Sequence, residues 1–517
     1  MHENREISFA PAQAGRSGKA SSRNPGMHAG EESDCAVIPM KRPNQEAEDS
    51  AEVVEGRART KENDAEAGTS PTRSGERVSQ GLGGVRQVAR ERKRERFTAL
   101  LHHLTIDLLR ESYYALKRKA APGVDGVRWG EYENGVEDRL KDLHGRVHRG
   151  AYRAQSSRRV YIPKADGRQR PLGIAALEDK IVQQAVVTIL NQIYEVDFRG
   201  FSYGFRPGRS PHRALDALNV GIERKPVNWI LDADIRGFFD NMSHEWTMQF
   251  LEHRVADNRI LRLIRKWLTA GVSEDGNWSE SKVGTPQGAV ISPLLANVYL
   301  HYVFDLWVEV WREKVARGAV IVVRYADDLV VGFQDRQDAE RFLREFQERL
   351  GKFGLELHPE KTRLIEFGRS AQANRERRGE GKAETFTFLG FTHYCWTNPK
   401  GGFAVRRKTA PKRMRAKLQE LKAELRKRVH EPVGEVGQRL KRVVEGYYRY
   451  HAVPDNLRTL GRFRDRLCML WRSILGRRSQ RSRPSWDRIR PTFNRWIPRP
   501  RALHPYPSIR FDAIHPR

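Results

Sequence analysis

Val320–Phe333 reads VIVVRYADDLVVGF, a β-forming run interrupted by two adjacent aspartates, Asp327 and Asp328. The apolar segments on either side predict two strands, and the tight link between them predicts a hairpin with the aspartates at its tip. Asp is common in turns, so the pair alone would also suit an ordinary polar turn. The link, however, lacks the Gly or Asn that a two-residue turn favours. A second stretch, VNWILDADI at 227–235, ends an apolar strand on Asp234 shortly before Phe238 and Phe239. Carboxylates that converge in a sheet repel one another and lose hydration unless a cation neutralises them. All-oxygen ligands suit Mg²⁺, which completes its shell with waters and substrate phosphates. Two such ions, about 3.5–4 Å apart, would activate a 3′-hydroxyl and stabilise a leaving pyrophosphate.

The elements that must position these carboxylates lie between Arg158 and Gly390, where β-branched strands alternate with amphipathic helices in a mixed α/β body. Ahead of it, Phe97, Leu100, Leu101, Leu104, Leu108 and Leu109 predict one helix over Arg90–Arg118, and GVDGV at Gly123–Val127 turns the chain. Residues 1–88 carry Phe9 as their sole aromatic and are rich in Gly, Ser, Glu, Arg and Ala. Such a segment buries too little apolar surface to offset its ordering entropy, so disorder is expected there. After Arg406 three stripes at helical spacing follow: Met414, Leu418, Leu421 and Leu425; Val436, Leu440, Val443 and Tyr447; Phe463, Leu467, Leu470 and Ile474.

Charge bounds the partner. The chain of 517 residues has a formal net charge of +29. From Ala404 onward there are 31 Lys and Arg against 9 Asp and Glu. A basic region of this kind is the electrostatic footprint of a phosphate-backbone partner. Cys35, Cys395 and Cys468 form no CxxC pair, which excludes a disulfide framework and a four-cysteine zinc site and suits a reducing cytoplasm. No apolar run reaches the roughly 18 residues of a membrane span, and MHENREISF has no signal-peptide core. A soluble, cytoplasmic protein with no membrane partner is expected.

Further blocks stand in a definite order: YIPKADGRQRPLGI (161–174), GFSYGFRPGRSPHRAL (200–215), DADIRGFFDN (232–241), GTPQGAVISPLLANVYL (284–300), YADD (325–328), LHPEKT (357–362), FLGF (388–391) and LHPYP (503–507). With the Tyr-Ala-Asp-Asp box among them, the chain from about residue 90 to its end resembles group II intron-encoded reverse transcriptase/maturases of the type that lacks an endonuclease. The resemblance implies an α+β fold: the fingers and palm of a right-hand polymerase, then an α-helical thumb and maturase domain X. The expected divisions are 1–88 for the extension, 89–225 for N-terminal helices and fingers, 226–400 for palm, and 401–517 for thumb and domain X.

The same resemblance implies roles for residues. Asp234, Asp327 and Asp328 would be catalytic and, with Ile235, would hold two Mg²⁺ ions, Mn²⁺ being a possible substitute. Lys164 and Arg170, on opposite arms of a hairpin turning at Asp166-Gly167, would hold the triphosphate of an incoming dNTP. Phe239 would close under its sugar and exclude a 2′-hydroxyl, although it could also be core beside Phe238. Gln287, Gly288 and Lys361 would complete the dNTP pocket. Leu389 and Gly390 would form the primer grip, with Leu389 equally suited to a core position. Arg206 and Arg209 would meet RNA, as would Arg472, Arg477, Arg478 and Arg481, which interleave with Tyr447, Tyr448, Tyr450, Trp471 and Trp486.

Implied partners are the intron RNA, a DNA primer or target, and dNTPs, met in the cytoplasm of a bacterium and on its nucleoid. The chain ends shortly after LHPYP without paired cysteines, so no zinc-stabilised endonuclease domain is expected. A maturase that keeps the polymerase fold only as a scaffold would be marked by degenerate carboxylates, and all three are present. A domesticated reverse transcriptase in defence or repair remains a second alternative. An RNA-dependent RNA polymerase fits less well, because Phe239 stands where an open 2′-hydroxyl site is needed.

Overall fold

The computed structural model describes residues 73–163, 169–274, 277–280, 283–285, 287–399, 401–478 and 485–515. The expected disorder over 1–72, Lys164 with the Asp166-Gly167 turn, and Arg481 lie outside the described residues.

Helix α1 (Arg73–Glu91) begins inside the stretch expected to be disordered, and Leu82, Val85 and Ala89 are buried along one of its sides. The GLGG at 81–84 dilutes this short stripe in the sequence. The helix expected over Arg90–Arg118 is broken. Phe97 bridges to Val255, a single turn forms at Leu101–His103, and α2 (Ile106–Ala115) starts afresh at Thr105. The Thr105 hydroxyl accepts the Leu108 N–H at 3.1 Å, so a local cap outweighs continuation of the helix. Leu100, Leu101, Leu104, Leu108 and Leu109 are nevertheless all buried.

Strands β1 (Ser157–Pro163) and β2 (Gln169–Ile174) pair antiparallel with Pro163 opposite Gln169, the hairpin expected from the sequence. Next come the long buried helix α3 (Leu177–Asp197) and α4 (Pro211–Arg224). Strand β3 (Trp229–Asp234) leads through Gly237 into the short α5 (Phe238–Asn241). Strands β4 (Val272–Glu274) and β5 (Asn277–Ser279) extend the β1–β2 sheet. Helix α6 (Ser292–Leu300) precedes β6 (Val320–Tyr325) and β7 (Asp328–Phe333), and α7 (Arg336–Lys352) and β8 (Arg363–Glu366) follow.

The sheet that carries the aspartates has the order β6-β7-β3-β8, antiparallel throughout, with β3 and β7 in its middle. Alternating residues bury both of its faces. Ile321, Val323, Val330 and Ile230 meet Leu215, Leu218 and Ile222 of α4, while Val322, Val331 and Phe333 join the core that includes Phe342 and Phe346 of α7. A rigid two-sided sheet therefore holds the hairpin tip.

Strands β9 (Phe386–Phe388), β10 (Phe391–Thr397) and β11 (Phe403–Thr409) form a separate sheet. The expected division at 400 falls inside the β10–β11 hairpin, which pairs from Phe391 opposite Thr409 to Thr397 opposite Phe403. Beyond it lie α8 (Pro411–Lys427), α9 (Val433–His451), α10 (Leu457–Leu475), α11 (Trp486–Trp496) and α12 (Pro507–Ile514). The first and third apolar stripes are buried as expected, apart from a partly exposed Leu470. The α9 stripe is shifted by one residue: Val436, Leu440, Val444 and Tyr448 are buried and Val443 is exposed, because strict i, i+4 spacing faces the bundle. Helix α12 does not stay with the bundle. Phe511 enters the core beneath the β6-β7-β3-β8 sheet, and Asp512 pairs with Arg224 of α4 at 2.7 Å.

Candidate active site

Tyr325 pairs with Asp328, leaving Ala326 and Asp327 as the two central residues of the β6–β7 turn. Ala326 adopts φ +57, the left-handed conformation a two-residue turn of this kind requires at its first position. Pairing of β3 with β7 sets Asp234 directly opposite Asp328. The convergence expected from the sequence is therefore present. The Asp328 carboxyl is pushed up to about 7, by burial first and then by Asp327 and Asp234. Asp328 is nonetheless exposed to solvent, with the like charges of Asp327 and Asp234 beside it.

Asp232, two residues before Asp234 on the same face of β3, also rises to about 7, through burial and then Asp328, with Asp234 adding to it. The sequence shows this carboxylate plainly in LDAD, at the strand period of two, yet the reading above passed over it.

Among the described residues no three His, Cys, Asp or Glu side chains are drawn together tightly enough to chelate a metal as they stand. Lys361 Nζ lies 2.5 Å from Asp234 Oδ2 and supplies local positive charge. The donor set still fits a hard cation, being all oxygen and mutually repelling.

The turn is held from inside. Fully buried Arg324 makes a two-pronged pair with Asp305, at 2.7 and 2.6 Å, and donates from Nη1 to Asn297 Oδ1 and to the Ala326 carbonyl. Burial alone would raise the Asp305 carboxyl, but Arg324 holds it below its ordinary value. Asn297, from LLANVYL on α6, donates in turn to the Gly204 carbonyl at 2.8 Å. Gly204 abuts the turn so closely that a Cβ there would stand 2.3 Å from the Ala326 nitrogen. No periodicity in the sequence marks Arg324, Asp305 or Asn297 as partners.

The flanks assemble around this tip. His358 N–H donates to the Asp234 carbonyl at 2.7 Å, and Ile235 bridges Leu357, which fixes LHPEKT and Lys361 beside β3. Phe239 is half-buried, edge-on to Phe238 with ring centroids 5.4 Å apart. Its carbonyl accepts the Thr285 N–H at 2.8 Å, and Gln287 Nε2 donates to Asp240 Oδ1 at 2.9 Å. The Gln287 carbonyl also accepts the Gly173 N–H of β2 at 2.7 Å, so GTPQG ties the β1–β2 hairpin to α5. Gly288 has φ +113 and lies against Gly173. The backbone of Arg170 pairs with Ile162 near the hairpin end.

Leu389 (φ +46) and Gly390 (φ +82) turn β9 into β10. The Leu389 carbonyl accepts the Tyr450 hydroxyl at 2.8 Å, and Arg413 of α8 lies against Gly390 while drawing the Asp328 carboxyl downward. Phe205, Ala326 and Leu389 are the non-glycine residues of positive φ among the described residues. Each such residue costs about 1–3 kcal/mol.

The arginines expected to meet RNA divide. Arg206 is buried, its guanidinium engaged by Glu195 and by the carbonyls of Arg199 and Ser202, so it anchors its own loop instead of facing a strand. Arg209 donates to the Gly200 carbonyl and lies over Tyr203. Arg472 stacks on exposed Trp486 at 4.6 Å, Arg477 is exposed, and Arg478 donates to the Glu431 carbonyl. Trp471 and Tyr448 are core, and Tyr447 and Tyr450 are partly buried.

Residues 162–393 match the family described as "Reverse transcriptase (RNA-dependent DNA polymerase)". The chain is 34% identical over 275 residues to Protein YkfC of Escherichia coli, covering 47% of this chain and 72% of that protein. The chain belongs to the reverse transcriptase family. It is also 35% identical over 229 residues to the group II intron-encoded protein LtrA of Lactococcus lactis, covering 43% of this chain and 38% of LtrA. A shorter match, 29% over 91 residues, joins 18% of the chain to 12% of a nuclear intron maturase of Arabidopsis thaliana. The architecture agrees: an α+β reverse transcriptase fold followed by a helical region. Among the described residues no helix is long and apolar enough to cross a membrane.

Proposed function

We propose that this chain is an RNA-directed DNA polymerase that also binds its parent group II intron RNA as a maturase, assisting splicing and mobility. The observation that carries the reading is Asp234 facing Asp328 across β3–β7, beneath the YADD turn, with the Asp328 carboxyl raised by its neighbours. Asp234, Asp327, Asp328 and the Ile235 backbone would hold Mg²⁺, or Mn²⁺ in its place. A bound pair of such ions supplies charge neutralisation for both the attacking 3′-oxygen and the leaving pyrophosphate.

The chain's own residues do the positioning. Lys361 is released from Asp234 towards the phosphates, and Lys164 and Arg170 hold the triphosphate from the fingers hairpin. Phe239 sets the floor against a 2′-hydroxyl, with Gln287 and Gly288 beside it. The Leu389-Gly390 turn, fixed by Tyr450 and Arg413, grips the primer. In this reading residues 89–225 carry the N-terminal helices and fingers, 226–400 the palm, and 401–517 the thumb and domain X, the last boundary falling inside the β10–β11 hairpin. The basic helices suit intron RNA, and the scattered cysteines suit a reducing cytoplasm.

Primer extension on an RNA template with Mg²⁺ tests this. The native chain extends with dNTPs and poorly with rNTPs, and Phe239→Ala narrows that preference by at least about tenfold. Intron RNA binding with no extension under any nucleotide would replace the polymerase by a maturase-only scaffold.

A further inference from the structure

Of the three strained non-glycine residues, Ala326 and Leu389 sit at the catalytic turn and the primer grip, whereas Phe205 has no role so far. Phe205 breaks two rules at once. It holds φ +60, a genuine outlier for a bulky residue, and its side chain is 55% exposed. Single exposed apolar residues are ordinary. A ring kept exposed at the cost of backbone strain is not, since Gly or Asn would fill the same position without it.

The surrounding chain fixes this placement. Arg324 N–H donates to the Phe201 carbonyl and Tyr203 N–H to the Arg324 carbonyl, so residues 201–203 run along β6. Gly204 then abuts Ala326. Immediately after Phe205, Arg206 turns inward and locks the loop through Glu195, Arg199 and Ser202. Phe205 is left outward beside the YADD turn, its ring centroid 6.4 Å from that of Tyr325.

We propose that Phe205 is a positioning residue for the nucleic acid: its ring packs on the primer strand just behind the 3′ end that Asp327 and Asp328 act upon. The proposal rests on the polymerase reading for the location of that end. A flat apolar ring suits a nucleotide's base or sugar whatever the sequence, as polymerisation demands.

The test compares the native chain with Phe205→Gly and Phe205→Tyr. Affinity for a DNA primer annealed to an RNA template is measured by fluorescence anisotropy at fixed salt, with melting temperature and the KM values for duplex and dNTP alongside. Phe205→Gly weakens duplex binding about tenfold and raises the duplex KM, with the dNTP KM unchanged. Its melting temperature stays level or rises, because glycine relieves the strained φ. Phe205→Tyr keeps affinity within about twofold. Unchanged affinity in Phe205→Gly, or a melting temperature that falls in step with it, would overturn the proposal. Anisotropy does not need catalysis. A native chain that binds duplex without extending it removes the polymerase reading while Phe205 is still judged by its own affinity change.

Discussion

Asp328 and Asp216 are both carboxylates beside the β6-β7-β3-β8 sheet, and they live in opposite circumstances. At the hairpin tip, Asp234, Asp327 and Asp328 crowd together with Arg413 and Lys361 as counter-charge, and Asp328 rises to about 7. On α4, beneath the same sheet, buried Asp216 is shared by two arginines: Arg407 at 3.2 Å, and Arg510, which reaches back from α12. Among the described residues, like charges gather at the tip, whereas at α4 one carboxylate is shared by two guanidiniums. A structural ion pair is complete in itself, whereas carboxylates that crowd and raise one another suit a cation arriving among them.

The surroundings sharpen the contrast. Arg510 also donates to His504 Nδ1 at 3.1 Å, and His504 Nε2 donates to the Arg449 carbonyl at 2.7 Å. Around this clasp His212 and His393 are lowered to about 3 and His451 to about 4, burial being the largest cause for each. LHPYP thus acts, in this structure, as the strap that returns the C-terminal helices to the palm.

Breaking the clasp should have the larger effect on stability. Asp216→Ala leaves two guanidiniums facing each other in a buried site and should cost about 3–5 kcal/mol, read by denaturant unfolding. The folded fraction should retain its extension rate, since the carboxylates proposed as catalytic are untouched. A smaller effect separates the two regions by pH. The three histidines have folded pKa values below the ordinary 6.5, so the stability they contribute is present above that value and is lost as pH falls towards 4 and 3. Asp232 and Asp328 have folded values raised above the ordinary 3.8, so their contribution is present below 3.8 and is lost as pH rises through about 7. In Mg²⁺-free buffer, hydrogen exchange corrected for intrinsic rates should therefore show β10 and α9 better protected at pH 7.5 than at pH 5. The β3–β7 tip should show the reverse. Parallel changes in both regions would contradict the opposed charge balance.

What the sequence could reveal follows the same division. The hairpin was legible because unbroken β-branched apolar runs enclosed Asp327 and Asp328, and the α8 and α10 stripes because burial there repeats at helical spacing. The break before Ile106 was hidden because the apolar positions are the same in a helix and in the capped loop that replaces it; only Thr105 marks the start. The α9 stripe slipped by one residue because Val443 and Val444, and Tyr447 and Tyr448, are chemically equivalent neighbours. Arg324, Asp305 and Asn297 converge from three separate elements, and nothing local announces such long-range partners. Arg206 looked like a surface charge because it sits in the Gly- and Pro-rich loop GFRPGRS, whereas its partner, Glu195, lies at the end of the preceding helix.

The central claim is that the anion-rich tip is where polymerisation occurs. Its most direct measurement is Mg²⁺-dependent primer extension on an RNA template by the native chain and by Asp327→Ala, with intron RNA affinity measured on the same preparations. The account predicts extension lowered by at least about 10³-fold in Asp327→Ala with RNA affinity within about twofold of native. Extension that survives the substitution, or RNA binding lost along with it, would contradict the assignment.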